Sequence, residues 1–235
     1  IVPGMYGLEA GQSAVGDIFN WFVRFLTPTA FTAKGDAHAN LTKEAAKLKP
    51  GESGLLALDW NNGNRTVLVD PRLSGLLVGQ TLHTTAPEIY RTLIEATAFG
   101  ALTIIDRFEQ YEVGVKEVVN CGGIAEKNPF VMQIYADVTG RPMKISRSAQ
   151  TCALGAAIFG AVVGGAYKRV EQAQKKMTGT KATVYRPNAK ATRVYKELYR
   201  LYSQLHDGFG TSQSVVSMHE VMKKLIAMRE QVRKG

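Results

Sequence analysis

The stretch CGGIAEKNPFVMQIYADVTGRPM, residues 121–143, decides how this chain folds. It follows KEVVNC, an apolar run with the β-branched residues of a strand. Asn128 stands where a helix needs its N-cap. Pro129 takes the first helical position, where a missing N–H costs nothing, and Gly140 lies just past the end. A helix is therefore expected over 128–140, followed by a second strand in RPMKIS. Strand, helix, strand is the repeating unit of an α/β layer structure. Gly122 and Gly123 leave the strand exit without side chains, so a flat or bulky ligand could rest directly on backbone beside a helix start with unpaired N–H groups. A simple tight turn is the competing explanation. GGIAEK has neither the spacing of a dinucleotide-binding G-x-G-x-x-G nor that of a Walker loop.

Upstream, Val15, Ile18, Phe19, Phe22, Val23 and Leu26 recur at helical spacing up to Pro28. On the same helical wheel Glu9, Ser13, Gly16 and Asn20 form a polar stripe containing a glycine. Since a helical glycine costs about 1 kcal/mol relative to alanine, either a ligand or a packed neighbour is expected to come close to Gly16. A second helix is expected over roughly 41–48, then a strand in GLLALDW leading to the turn NNGN. TAPE, residues 85–88, is a capping box opening a long helix with Ile89, Leu93, Ala96, Ile104 and Phe108 on one side. Downstream, QTCALGAAIFGAVVGG reads as a buried, small-sided helix, too short to span a membrane. The remainder is expected to be helical apart from a strand in ATVYRP.

The chain has 235 residues, 45% hydrophobic and 21% charged, enough for one sizeable domain or two small ones with a well-buried core and typical of a globular protein. It begins at Ile1 with no basic leader before an apolar segment, so no signal peptide is expected and the sequence reads as a piece of something longer. Cys121 and Cys152 have no metal-ligand or CxxC spacing, which argues for no metal site, no disulfide framework and a reduced, cytoplasmic chain. His38, His83, His206 and His219 are scattered and are assigned to surface or capping roles. The net charge of +9 is uneven: residues 1–140 hold 11 Lys and Arg against 15 Asp and Glu, residues 141–235 hold 18 against 5. That basic half could attract nucleic acid. Its charges, however, sit opposite an apolar stripe of Val194, Leu198, Leu201, Tyr202 and Leu205, the pattern of a solvated helix face, so nucleic acid is not the expected partner.

NCGGIAEKNPFVMQIYADVTGRPM followed by SAQTCALGAAIFGAVVGG resembles the C-terminal signature of the FGGY carbohydrate kinases. LLALDWNNGNRTVLVDPRLSG resembles a strand-and-turn segment of the same family. GMYGLEAGQSAVGDIFNWFV, QTCALGAAIFGAVVGG and LYRLYSQLHDGFG narrow the likeness to the branch that phosphorylates L-ribulose. The resemblance implies an actin-like, ribonuclease H-like α/β domain, the C-terminal lobe of a two-lobed sugar kinase, occupying residues 1–235 with its core at about 4–166 and a mostly helical extension at about 167–235. It implies ATP with Mg²⁺, held between two lobes.

Carried over by the same likeness, Gly122 and Gly123 lie along the adenosine and Asn128 reaches the base. Gly16 and Asn20 flank phosphates and ribose, and Glu9 reaches the sugar. The family's Asp-x-Gly turn, catalytic aspartate and second phosphate loop would precede Ile1, so no catalytic residue is assigned in this chain. Asp17, Asp59, Asp70 and Asp137 are read instead as helix-surface, turn and packing residues. The implied partners are L-ribulose, ATP and the N-terminal domain of the same protein, with a homodimer left open and no membrane. The alternatives are a kinase of xylulose, glycerol or another polyol, and a non-catalytic actin-like binding module.

Overall fold

A computed structural model of the protein describes residues 2, 4–33, 35–212, 214, 215 and 221–234, and His219 lies outside them. The opening stretch folds around its glycines and its cap. Strand β3 (Val118–Asn120) ends at Cys121, and Gly122 adopts φ +88°, a left-handed conformation that glycine tolerates without a Cβ penalty. That single residue turns the chain straight into a helical turn, α5 (Gly123–Lys127), closed by Glu126 N–H donating to Gly122 O at 3.2 Å. Residues 123–127 carry no cap or periodicity of their own that announces this turn. Helix α6 (Pro129–Thr139) starts as expected: Asn128 Oδ1 accepts from Val131 N at 3.2 Å, and Gly140 closes the helix at φ +65°. Strand β4 (Met143–Ser146) then pairs parallel to β3, in register Val118 with Met143, and completes the β-α-β unit.

The other elements assemble around this unit. Before it come α1 (Gly16–Phe25), the short α2 (Thr29–Thr32), α3 (Ala37–Ala45), the antiparallel pair β1 (Leu56–Leu58) and β2 (Leu76–Val78), and α4 (Ala86–Gln110). After it come α7 (Thr151–Val163), α8 (Val170–Met177), β5 (Thr180–Tyr185), α9 (Ala189–Gly210) and α10 (Val221–Lys234). β5 extends the sheet antiparallel to β4, giving the order β3-β4-β5. Helix α4 is the axis of the core. Its capping box forms as read, with Glu88 Oε2 accepting from Thr85 N at 2.7 Å. From Tyr90 to Gly100 it is buried all round, against α3, β1 and α6. Helix α9 brings Tyr195, Leu198, Leu201, Tyr202 and Leu205 into the same core, so the amphipathic stripe read from the sequence is the buried face.

Three expectations are corrected. α1 begins at Gly16, so Glu9 and Ser13 precede it outside any helix and the polar stripe of four does not exist. α3 lies a turn earlier than expected because Asp36 caps it, accepting from His38 N at 2.9 Å. α7 is not buried: Ile158 is its only buried residue, while Phe159 and Val163 are 43% and 90% exposed. An apolar helix signals burial only where another element covers it, and among the described residues α7 packs chiefly on α8.

Candidate functional site

Four residues expected at a nucleotide, Gly16, Asn20, Gly123 and Asn128, line one cavity of about 800 Å³. α1 supplies Gly16 and Asn20, α3 supplies His38 and Thr42, α4 supplies Tyr90, and the α5–α6 junction supplies Gly123, Ile124 and Asn128. Gly122 sits at the strand exit just behind Gly123. A Cβ built at either glycine would meet nothing within 4 Å, so open space lies over both. Gly16 has a different reason for lacking a side chain: its Cβ would stand 2.9 Å from Ile124 Cδ1. Of the two explanations the sequence allows, close packing of α1 on α5 is the one observed.

Asn128 and His38 are held by neighbouring groups before any ligand arrives. Asn128 spends its carbonyl oxygen on the cap of α6, and its Nδ2 points to Thr42 Oγ1 at 3.4 Å. His38 Nδ1 lies 3.1 Å from the hydroxyl of Tyr90, whose pKa burial raises. Phe19, Ile124, Pro129 and Phe130 give apolar walls, with Lys43 and Lys127 also on the lining. Among the described residues Asp36 is the one carboxylate lining the cavity, and its Oδ1 caps α3. The arrangement can bind a flat, partly polar molecule on backbone and carboxamide groups. His38 and Thr42 were not found from the sequence, although their i, i+4 spacing on α3 places both on one face.

Glu9 does not line this cavity. It is exposed on the irregular segment before α1, where Arg65 Nη2 donates to its Oε1. Of the four aspartates, Asp17 lies in the first turn of α1 and Asp70 holds the turn to Arg72. Asp137 accepts from Gln133 Nε2 at 2.8 Å and from Asn188 N at 2.7 Å, tying α6 to the start of α9.

Asp59 is buried beside α4. Its oxygens accept from Gln12 Nε2 at 2.7 Å and from Tyr202 Oη at 2.9 Å. Burial, opposed in part by these bonds, raises its pKa above the ordinary 3.8. A carboxyl with a raised folded pKa holds its proton more tightly when folded. The stability this contributes is therefore full below the ordinary carboxylate pKa and is lost as pH rises through the folded value. Urea unfolding of the protein and of Asp59→Asn between about pH 4 and pH 8 should show the aspartate form losing ground to the variant as pH rises. Parallel curves would mean that Asp59 titrates alike in the folded and unfolded states.

The sequence profile of the FGGY family of carbohydrate kinases, C-terminal domain, matches residues 1–163. A ribulokinase of Shouchella clausii is 47% identical over 244 aligned residues, covering 100% of this chain and 43% of that protein. One of Halalkalibacterium halodurans is 49% identical over 238, covering 97% and 41%. The chain thus spans about two fifths of the length of these relatives. Among solved structures, xylulose kinase from Rhodospirillum rubrum superposes with TM-score 0.71 at 27% identity, over 84% of this chain and 38% of that one. Plasmodium falciparum glycerol kinase, solved with ADP, superposes at 0.67 and 14% identity over 86% and 38%, a likeness of fold alone.

Proposed function

The chain belongs to the FGGY family of carbohydrate kinases, and from that premise we propose that it is the nucleotide-side, C-terminal lobe of a cytoplasmic ribulokinase, which transfers a phosphoryl group from ATP to the 5-hydroxyl of L-ribulose. The observation that carries this reading is the cavity over Gly123, where side-chain-free backbone, Asn20 and Asn128 from three elements converge. The identity to ribulokinases along the whole chain favours ribulose over the xylulose and glycerol named for the structural neighbours.

In this reading adenosine lies along Gly122 and Gly123, where a Cβ would occupy ligand space. The free N–H of Asn128, oriented by Thr42, meets the base. Gly16 and Asn20 border ribose and phosphates, and Glu9 accepts from a sugar hydroxyl. ATP, when bound, supplies the phosphoryl group, and Mg²⁺ offsets its charge. No group of three or more His, Cys, Asp or Glu converges among the described residues. The part of the longer protein outside this chain supplies the proton acceptor, and the exposed face of α7 is where it packs. No helix among the described residues is long and apolar enough to cross a membrane.

The test is turnover. Full-length protein should phosphorylate L-ribulose in preference to xylulose and glycerol, while residues 1–235 alone should bind ADP with no turnover. Activity of the isolated chain would overturn the assignment of the proton acceptor. A full-length preference for another sugar would overturn the substrate.

A further inference from the structure

Residues 5–12, which carry Glu9, form neither helix nor strand. A carboxylate on such a segment recognises a sugar only if something else fixes its position, because ordering a free chain at the moment of binding costs conformational entropy. We infer that the turn over residues 59–66 is that fixing element, and that Arg65 is a positioning residue for Glu9. The inference rests on the reading of Glu9 as the group that reaches the sugar.

Three residues of the segment are held, two by the turn alone and Gln12 by both the turn and α4. Arg65 Nη2 donates to Glu9 Oε1, Gly11 N donates to Thr66 Oγ1 at 3.3 Å, and Gln12 Nε2 donates to both Asp59 Oδ2 at 2.7 Å and Thr97 O at 2.8 Å. Gly11 lies against the guanidinium, its Cβ position 3.5 Å from Arg65 Nη1, so the segment and the arginine pack as well as pair. The turn is itself rigid. Asn64 and Asp70 exchange backbone hydrogen bonds of 2.9 Å, and Gly63, at φ +74°, sits with its Cβ position 2.7 Å from Pro71 Cα. Asp59 is anchored in turn to α9 by Tyr202. A planar guanidinium is suited to this duty because it fixes direction as well as charge. It takes one oxygen of Glu9, and the other is left for a hydroxyl of a polyhydroxylated substrate.

The test is steady-state kinetics of the full-length protein with Glu9→Ala, Arg65→Ala, Arg65→Lys and the double alanine variant. Arg65→Ala should raise the KM for the sugar about three- to fivefold, the scale of one exposed ion pair, with kcat and the KM for ATP within about twofold. Arg65→Lys should recover part of the loss. The double variant should be no worse than Glu9→Ala, since the arginine acts only through that carboxylate. An unchanged unfolding midpoint for Arg65→Ala would separate positioning from folding; a midpoint that falls along with kcat would count against it. If Glu9→Ala raises KM while Arg65→Ala does not, or if the two effects multiply, the positioning role is wrong and the sugar role of Glu9 stands. If Glu9→Ala itself leaves KM unchanged, the sugar role fails and this inference falls with it.

Discussion

Arg91→Leu is expected to cost about 3–5 kcal/mol of folding stability, because it strands a buried carboxylate. Arg91 is 4% exposed on α4. Its Nε donates to Glu95 Oε1 at 2.7 Å, its Nη2 to Tyr195 Oη at 2.8 Å, and its Nη1 to the carbonyls of Ala45 and Leu48 at 3.2 and 2.6 Å. Tyr195 in turn donates to Glu95 at 2.8 Å. One guanidinium therefore satisfies the last carbonyl of α3 and the Leu48 carbonyl beyond it, a carboxylate on α4 and a phenol on α9, three helices far apart in the chain. Burial alone would lower the arginine pKa; the Glu95 charge and Tyr195 outweigh it and raise the pKa instead. Leucine fills similar apolar volume but leaves Glu95 without its cation and the Leu48 carbonyl without its donor, while Ala45 O keeps only the backbone bond from Leu48 N. Urea unfolding should show the midpoint drop. Arg91→Leu combined with Glu95→Leu should recover about 2 kcal/mol, since removing both charges leaves no orphan ion. A single-variant loss below about 1 kcal/mol would mean that water reaches the pair.

The second large effect is Gly100→Ala, about 2–3 kcal/mol of destabilisation. Alanine is normally favoured over glycine inside a helix by about 1 kcal/mol, so the sign itself is the test. A Cβ at Gly100 would lie 2.3 Å from Asp59 Oδ2 and 2.6 Å from Gln12 Nε2. Relief requires breaking the bond between them, and both are packed against α4. Gly155→Ala on α7, where a Cβ meets nothing within 4 Å, is the control. It should be neutral or stabilising by up to about 1 kcal/mol. Equal effects at the two positions would show that Asp59 and Gln12 have room to move. In the full-length protein Gly100→Ala should also raise the sugar KM, because Gln12 anchors the segment bearing Glu9.

The elements that could be read in advance are those whose signals are local. Asn128, Pro129 and Gly140 act within one turn of their own backbone, as do Thr85 and Glu88, so helix ends follow from them directly. The stripe on α9 was legible because one face of one helix meets one core. Short elements escaped: β2 is three residues long and only partly buried, and α5 depends on a single positive-φ glycine. Glu9 and Ser13 share a helical spacing with Gly16 and Asn20 but lie outside the helix, so no stripe forms through them.

By itself, then, the sequence determined the order of strands and helices, the caps that bound α4 and α6, and, through its motifs, the kinase family. Tertiary structure alone decided which of these residues meet. The cavity draws on α1, α3, α4, α5 and α6; Gly16 is explained by Ile124, Gly100 by Asp59 and Gln12, and Glu9 is held by Arg65. Hydrogen bonds and backbone angles within a turn are set by neighbours in the chain. Contacts between residues fifty or a hundred positions apart exist only once the core has closed, and the exposure of α7 follows from which elements that closure covers.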